Sequence, residues 1–319
     1  VLIVSKQPPV RIGSRASPLA QAQARQVQAA ITAVLGAPAE AADEVAPITL
    51  FSTAGDRIQD RRLLEIGGKG LFTEEIEAAL RANQIDCAVH SLKDVPSALP
   101  EGLTIAATPE REDVRDAFVS LAYARFEDLP AGSNLGTASL RRQTQALYRR
   151  PDLQLVNLRG NVQTRLAKLE RGEADGILLA YAGLRRLGLE DVARQLFDPD
   201  EIPTAPGQGC LAIETRLEDA SSAWAKALNH ERTALAIAAE RGALEALEGS
   251  CRTAVAAHAV LNDVGGLRLI VEALTPDGQE RFRREARIDA VTRETADALG
   301  RRLGEEIRAE GGDRLLLKT

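Results

Sequence analysis

The residues best equipped for chemistry are arginines, and they are unevenly placed. Of the 40 basic residues in this 319-residue chain, 34 are arginine and only six are lysine. From Arg141 to Arg186, nine arginines and Lys168 stand against Asp152, Glu170, Glu173 and Asp175, a local excess of +6. The net charge is −6, which leaves the rest of the chain at −12. Guanidinium is a planar fork that grips a carboxylate through two parallel hydrogen bonds. A basic zone inside an acidic chain therefore points to a local anion site. Any one of these arginines on its own reads as a solvated helix face; the clustering favours a site. The same acidic balance argues against general nucleic-acid binding.

Asp94 and Cys251 also stand apart. Asp94 follows the apolar run Cys87-Ala88-Val89-His90 and precedes Val95-Pro96. Such an aspartate is commonly a turn residue, yet the end of a strand is also where α/β proteins bind ligands. Cys251 follows Gly249-Ser250 at the end of a helical run and precedes Arg252. A loop thiol beside a cation is easily deprotonated; an ordinary loop cysteine is the alternative. Cys87 and Cys210 fall in apolar runs and are expected in the core. Three scattered cysteines make no disulfide framework and fit a reducing compartment.

Other chemistries lack their signatures. His90, His230 and His258 are not at metal-ligand spacing from one another or from cysteine. Gly67-Gly68-Lys69-Gly70 lacks the spacing of a phosphate loop. Nucleotide, metal and hydrolase readings are set aside. No apolar run is long enough to span a membrane and the first residues do not read as a signal peptide, so a soluble cytoplasmic protein is expected.

The elements that must position these residues come in two similar sets. Val10–Gly13 reads as a strand, and Ser17-Pro18 as the cap and first position of a helix running to Leu35. Ile48–Ser52 and Cys87–His90 read as strands, with a helix over Leu71–Arg81 between them. The plan then recurs. Leu135-Gly136-Thr137-Ala138-Ser139 echoes Ile12-Gly13-Ser14-Arg15-Ala16, a strand leading into a helix that begins near Arg141 and Arg142. Leu153–Leu158 is the next strand, Val162–Arg171 the next helix, and Gly176–Ala180 matches Cys87–His90, with Asp175 and Asp86 in equivalent places. Arginines at a helix start oppose the macrodipole, a poor choice for stability and a sensible one for holding carboxylates. Two similar α/β halves make the cleft between them the natural ligand site. The last part differs: a helix over His230–Leu247, strands over Ala254–Val260, Leu267–Leu274 and Glu280–Ile288, and a closing helix over Thr292–Arg308.

Taken together, these segments resemble the porphobilinogen deaminase (hydroxymethylbilane synthase) family. The matching runs are Ile12–Ala20, Gly67–Phe72, Ala88–Pro96, Gly136–Arg142, Leu158–Arg165, Leu179–Leu187, Pro206–Gly209 and Leu247–Arg252. Eight runs in the right order span nearly the whole chain. Leu92 departs from the family pattern where methionine is common, a volume-conserving change.

The resemblance implies a fold of two doubly wound α/β domains around a cleft, like type II periplasmic binding proteins, plus a smaller α+β domain with a three-stranded sheet. It places domain 1 at 1–109 with 210–226, domain 2 at 110–209 and domain 3 at 227–319. It implies a transferase of haem and other tetrapyrrole synthesis, active as a monomer without nucleic-acid or membrane partners. A dipyrromethane cofactor joined by a thioether to Cys251 would receive four porphobilinogen units, losing ammonia at each addition, before hydrolysis releases hydroxymethylbilane. Asp94 would hold the pyrrole N–H groups and stabilise the positive charge of the azafulvene formed as ammonia leaves. The cofactor would be bound by Ser91, Lys93, Asp94, Thr137, Ser139, Arg141, Arg142, Arg159, Arg165 and Gln208. Porphobilinogen would meet Arg15, Arg159, Arg165 and Arg186, under a lid containing Lys69 and Phe72. A non-catalytic anion-binding protein of the solute-binding type is the alternative.

Overall fold

The computed structural model describes residues 8–57, 70–247 and 253–317. The first sheet contains β1 (Ile12–Arg15), β2 (Ile48–Phe51), β3 (Cys87–Ser91), β4 (Leu103–Ala107) and the distant β10 (Leu211–Arg216), in the order β2-β1-β3-β10-β4. The second contains β5 (Asp116–Val119), β6 (Asn134–Gly136), β7 (Gln154–Val156), β8 (Gly176–Ala180) and β9 (Gln195–Leu196), in the order β7-β6-β8-β5-β9. In each, three parallel strands are followed by one antiparallel strand, β10 in the first and β5 in the second.

The repeat read from the sequence extends to single hydrogen bonds. Ile12 and Gly13 pair with Cys87 and Ala88; Leu135 and Gly136 pair with Gly176 and Ile177. The Asp86 carboxylate accepts from the Arg11 backbone N–H at 2.8 Å, while the Asp86 N–H donates to the Arg11 carbonyl at 2.8 Å. Asp175 does the same with Asn134, at 2.7 and 2.8 Å. The two aspartates are thus equivalent because each clamps the entry of a central strand.

Ser17 caps the Pro18–Val34 helix by accepting from the Ala20 N–H. Helical spacing brings Ala24, Val27 and Ile31 onto Ile12, Cys87 and Val89 in one buried cluster. Cys87 and Cys210 are both buried, as expected of core residues. Several element bounds moved. The helix expected from Leu71 begins at Glu74, because the Gly70 carbonyl accepts from the Thr73 and Glu74 N–H groups in a preceding turn. Glu74, Glu75 and Glu77 then occupy the first helical turn, where the macrodipole favours anions. Strands β4, β5 and β9 were not anticipated; they are two to five residues long and carry no alternating pattern.

The last domain pairs β11 (Ala254–Leu261), β12 (Leu267–Leu274) and β13 (Arg281–Ile288) in one antiparallel sheet. The Glu231–Leu247 and Arg293–Gly311 helices pack together over it. A Cβ at Gly300 would lie 2.0 Å from the Ala239 carbonyl oxygen, so glycine lets these helices touch backbone to backbone.

Buried Glu240 binds this domain to both segments that run between the two α/β sheets. Its two carboxylate oxygens accept from Arg111 at 2.7 and 2.9 Å. They also accept from the Gly207 N–H at 2.8 Å and from the Ala259 N–H of β11 at 2.9 Å.

Candidate functional site

Arg15, Ser91, Asp94, Thr137 and Ser139 collect at the C-terminal ends of the parallel strands, where carbonyl ends of strands and N-termini of helices meet. In the first domain, β1 ends at Arg15, and the neighbouring β3 ends at Ser91 and runs into the tight turn Leu92–Asp94. A cavity at this edge is lined by Arg15, Ser17, Gln23, Phe72, Ser91 and Asp94. The Arg15 guanidinium carbon lies 4.2 Å from the Phe72 ring centroid, close enough for a cation–π contact. Gln23 holds the Ser91 hydroxyl at 2.8 Å.

Asp94 is exposed, and its carboxylate has no hydrogen bond or ion pair among the described residues. An ionised carboxylate that is only an acceptor is thus turned toward the cleft with its capacity unspent. Lys93 beside it is also exposed by area, yet it stands between protein walls. Desolvation there and the Arg142 guanidinium draw its ammonium below the ordinary lysine range, against the pull of Asp94 and Asp116.

The second domain supplies the opposite wall. Thr137 and Ser139 follow β6; Ser139 caps the Leu140–Arg149 helix, and the Thr137 hydroxyl accepts from the Ser139 N–H at 3.2 Å. Asn161 caps the Val162–Glu170 helix, accepting from the Thr164 N–H at 2.8 Å. Arg165 on that helix donates through Nε to the Gly160 carbonyl at 2.8 Å and has no carboxylate partner among the described residues. Desolvation first, then Arg142, lower its guanidinium to about 10, with Asp94 acting in the other direction. Lys93, Asp94, Arg142 and Arg165 therefore share one electrostatic field across the two walls. Arg159 is buried at 8% exposure. Arg186 donates to the Gly209 carbonyl at 2.8 Å, while its buried Nε lacks a partner among the described residues.

Arg141 and Arg142 are placed differently from what a substrate-facing role suggests. Both are buried, at 5% and 6% exposure, and both pair with Asp116 at 2.7 Å. Arg141 also donates to Gln145 and to the Pro203 carbonyl, Arg142 to the Leu178 carbonyl. Gln208 is fully buried and donates to Asp116 at 2.8 Å and to the Val114 carbonyl at 2.7 Å. Burial alone would raise the Asp116 carboxyl; Arg141 and Arg142 outweigh it and hold that carboxyl far below the usual carboxylate range. The helix-start arginines are thus compensated by a counter-ion that sequence reading missed. Two guanidiniums on one carboxylate still leave a positive base beneath the cleft wall, and the buried Nε of Arg141 has no acceptor among the described residues. Cys251 and Lys69 lie outside the described residues.

A dipyrromethane, with an N–H on each of its two rings and two carboxylate arms on the opposite edge of each, needs acceptors at its centre and cations around it. The unspent Asp94 carboxylate, the carboxylate-free Arg165, Lys93 and the orphaned Nε of Arg186 match that donor set.

Comparison with known proteins agrees. The family model described as porphobilinogen deaminase, dipyromethane cofactor binding domain, matches residues 10–223, and that of the C-terminal domain matches residues 234–309. Porphobilinogen deaminase of Caulobacter vibrioides (strain NA1000 / CB15N) is 61% identical over 321 residues, 98% of this chain and 99% of that protein. That of Phenylobacterium zucineum (strain HLK1) is 59% identical over 318 residues, again 98% and 99%. Among solved structures, the methionine binding protein MetQ covers 69% of this chain and 87% of its own at 13% identity and a TM-score of 0.44. Two family models and relatives matched end to end leave one conclusion: the chain belongs to the porphobilinogen deaminase family.

Proposed function

We propose that the chain is a transferase that joins four porphobilinogen units head to tail and releases hydroxymethylbilane, acting as a cytoplasmic monomer in tetrapyrrole synthesis. The observation that carries this reading is the Asp94 carboxylate, unpartnered among the described residues, opposite Arg165 in a cleft between two α/β sheets. When bound through Cys251, dipyrromethane supplies the free ring position onto which units are added. Asp94 accepts the N–H groups of the reacting rings and stabilises positive charge on porphobilinogen as ammonia departs. A fixed anion beside a developing cation needs no reorganisation during the reaction. Arg165, Arg159, Lys93, Arg186 and Arg15 orient acetate and propionate groups, with Ser91, Thr137 and Ser139 adding hydrogen bonds and Phe72 with Lys69 covering the cleft. Arg142, Arg141 and Gln208 support that wall from behind through Asp116. Attachment at Cys251 makes each addition effectively intramolecular.

Intact-protein mass spectrometry tests the reading directly. The native protein should carry an adduct of dipyrromethane mass, absent from Cys251→Ser, which should show no turnover. An unmodified native mass with no consumption of porphobilinogen overturns it. Arg165→Leu should raise the porphobilinogen KM or stall elongation by about 10- to 100-fold, the worth of charge-assisted hydrogen bonds. Chromatographic analysis of enzyme-bound intermediates reads the stalled step, and normal elongation would remove Arg165 from the carboxylate set.

A further inference from the structure

His90 ends the apolar part of β3 and lines the same cavity as Arg15, Ser91 and Asp94. Its ring is nearly enclosed, and Nε2 lies 3.1 Å from Oε2 of Glu214, whose side chain is fully buried on β10. The register pairs His90 with Ala212, which makes Glu214 the diagonal neighbour on the same face. Among the described residues the other carboxylate oxygen of Glu214 has no hydrogen-bond partner, nor has Oε1 of Glu77, buried on the Glu74–Arg81 helix that packs against this face. Burial pushes the Glu77 carboxyl up, and the charge of Glu214 pushes it the same way. The Thr73 hydroxyl acts in the opposite direction, as do His90 and Arg81. Among the described residues, Arg15 at the end of β1 and Asp94 beyond its own strand line the same cavity, and Thr73 adds a hydroxyl.

Each of these two buried carboxylates keeps one oxygen with no hydrogen-bond partner among the described residues, so the pocket behind His90 is rich in unspent acceptors. An imidazole joins this buried pair to the cavity that holds Asp94. We propose that His90, backed by Glu214 and Glu77, is the proton-transfer group of the condensation. The inference rests on the deaminase reading of the cleft. In each coupling the C–N bond of the aminomethyl group, present as its ammonium form, breaks and its electron pair leaves with nitrogen as ammonia. A C–C bond forms between rings, and the attacked ring carbon loses its C–H proton, the pair returning to the ring. Nδ1 of His90 receives that proton, Glu214 stabilises the resulting imidazolium, and His90 passes the proton to ammonia, which departs as ammonium. Charge and atoms balance without an oxidant or reductant.

Porphobilinogen deuterated at its free ring carbon makes each later coupling break a C–D bond. His90→Gln keeps a donor for Glu214 and cannot shuttle a proton. It should lower kcat about 100-fold, the usual worth of a positioned general base, with KM within about twofold and a larger isotope effect than the native enzyme. Histidine 15N NMR of the resting holoenzyme, simplified by there being only three histidines, should show His90 with Nε2 protonated and Nδ1 bare. Glu214→Gln should convert this to a mixture of tautomers. A protonated Nδ1 in the native enzyme, or a folded His90→Gln with native kcat and isotope effect, overturns the proposal. Should His90→Gln not fold, the native tautomer and the Glu214→Gln spectrum decide it. Failure of the deaminase reading looks different: no adduct on Cys251 and no turnover in any variant.

Discussion

Asp94→Ala should lower kcat for porphobilinogen consumption by about 100- to 1,000-fold, the scale seen when one preorganised electrostatic group is removed from a reacting centre. The same change should leave thermal stability within about 0.5 kcal/mol, because exposed side chains away from packed contacts contribute little. Asp94 is exposed and has no hydrogen-bond or ion-pair partner among the described residues, so deletion strands no buried donor. This separation of activity from stability distinguishes a functional carboxylate from a turn residue. Stopped assays for porphobilinogen loss together with calorimetric melting measure both quantities on one preparation. A variant with native kcat, or one that melts before it can be assayed, contradicts the assignment.

Asp116→Asn should show the opposite pattern, in which stability falls first. The amide keeps the shape of the carboxylate and removes the charge that Arg141 and Arg142 share at 2.7 Å. Breaking a buried ion pair from one side costs about 3–5 kcal/mol, because an uncompensated charge is left out of water. Here two guanidiniums are left, both nearly inaccessible. Urea unfolding should show a lower midpoint with an unchanged slope, the signature of lost stability rather than altered compactness. The same carboxylate sets an acid limit. A carboxyl whose folded pKa is depressed contributes stability above its unfolded value of about 3.9, and loses it as pH falls through the lower folded value. The Asp116 contribution is therefore complete at neutral pH and disappears only in strong acid, a pH dependence that the asparagine variant should lack.

The contrast between these aspartates shows what the chain discloses in one dimension. Asp94 was legible because its cues are local: an apolar strand, a polar turn, then Val95-Pro96. The duplicated plan was legible for the same reason, since strand, glycine, hydroxyl and helix start recur in order at Ile12–Ser17 and Leu135–Ser139. Even the pairing of Asp86 with Asp175 followed from position alone. Asp116 gave no such cue. It opens the short apolar strand Asp116–Val119, and its partners lie 25 and 26 residues away. Glu240 is further removed, with Arg111 at a separation of 129 residues, and Glu214 meets His90 across 124. Hydrophobic period records which face is buried, not which buried charge answers another. The sequence shows Arg141 and Arg142 only as helix-start cations suited to carboxylates; the carboxylate they pair with in the folded chain, Asp116, is not announced there.

The strand order carries a consequence for how the molecule is made. In the first sheet β4 pairs only with β10 among the described residues, and β10 follows it by more than a hundred positions. All five strands of the second sheet come from one continuous stretch, Asp116–Leu196. On a ribosome that emits the chain from its N-terminus, the later-born sheet is therefore the first that can close. The earlier one must wait with β3 and β4 unjoined until residue 216 has emerged. Such long-range pairing is slow, and an open strand edge is prone to aggregation. The interval between synthesis of β4 and arrival of β10 is when the nascent chain most needs a chaperone.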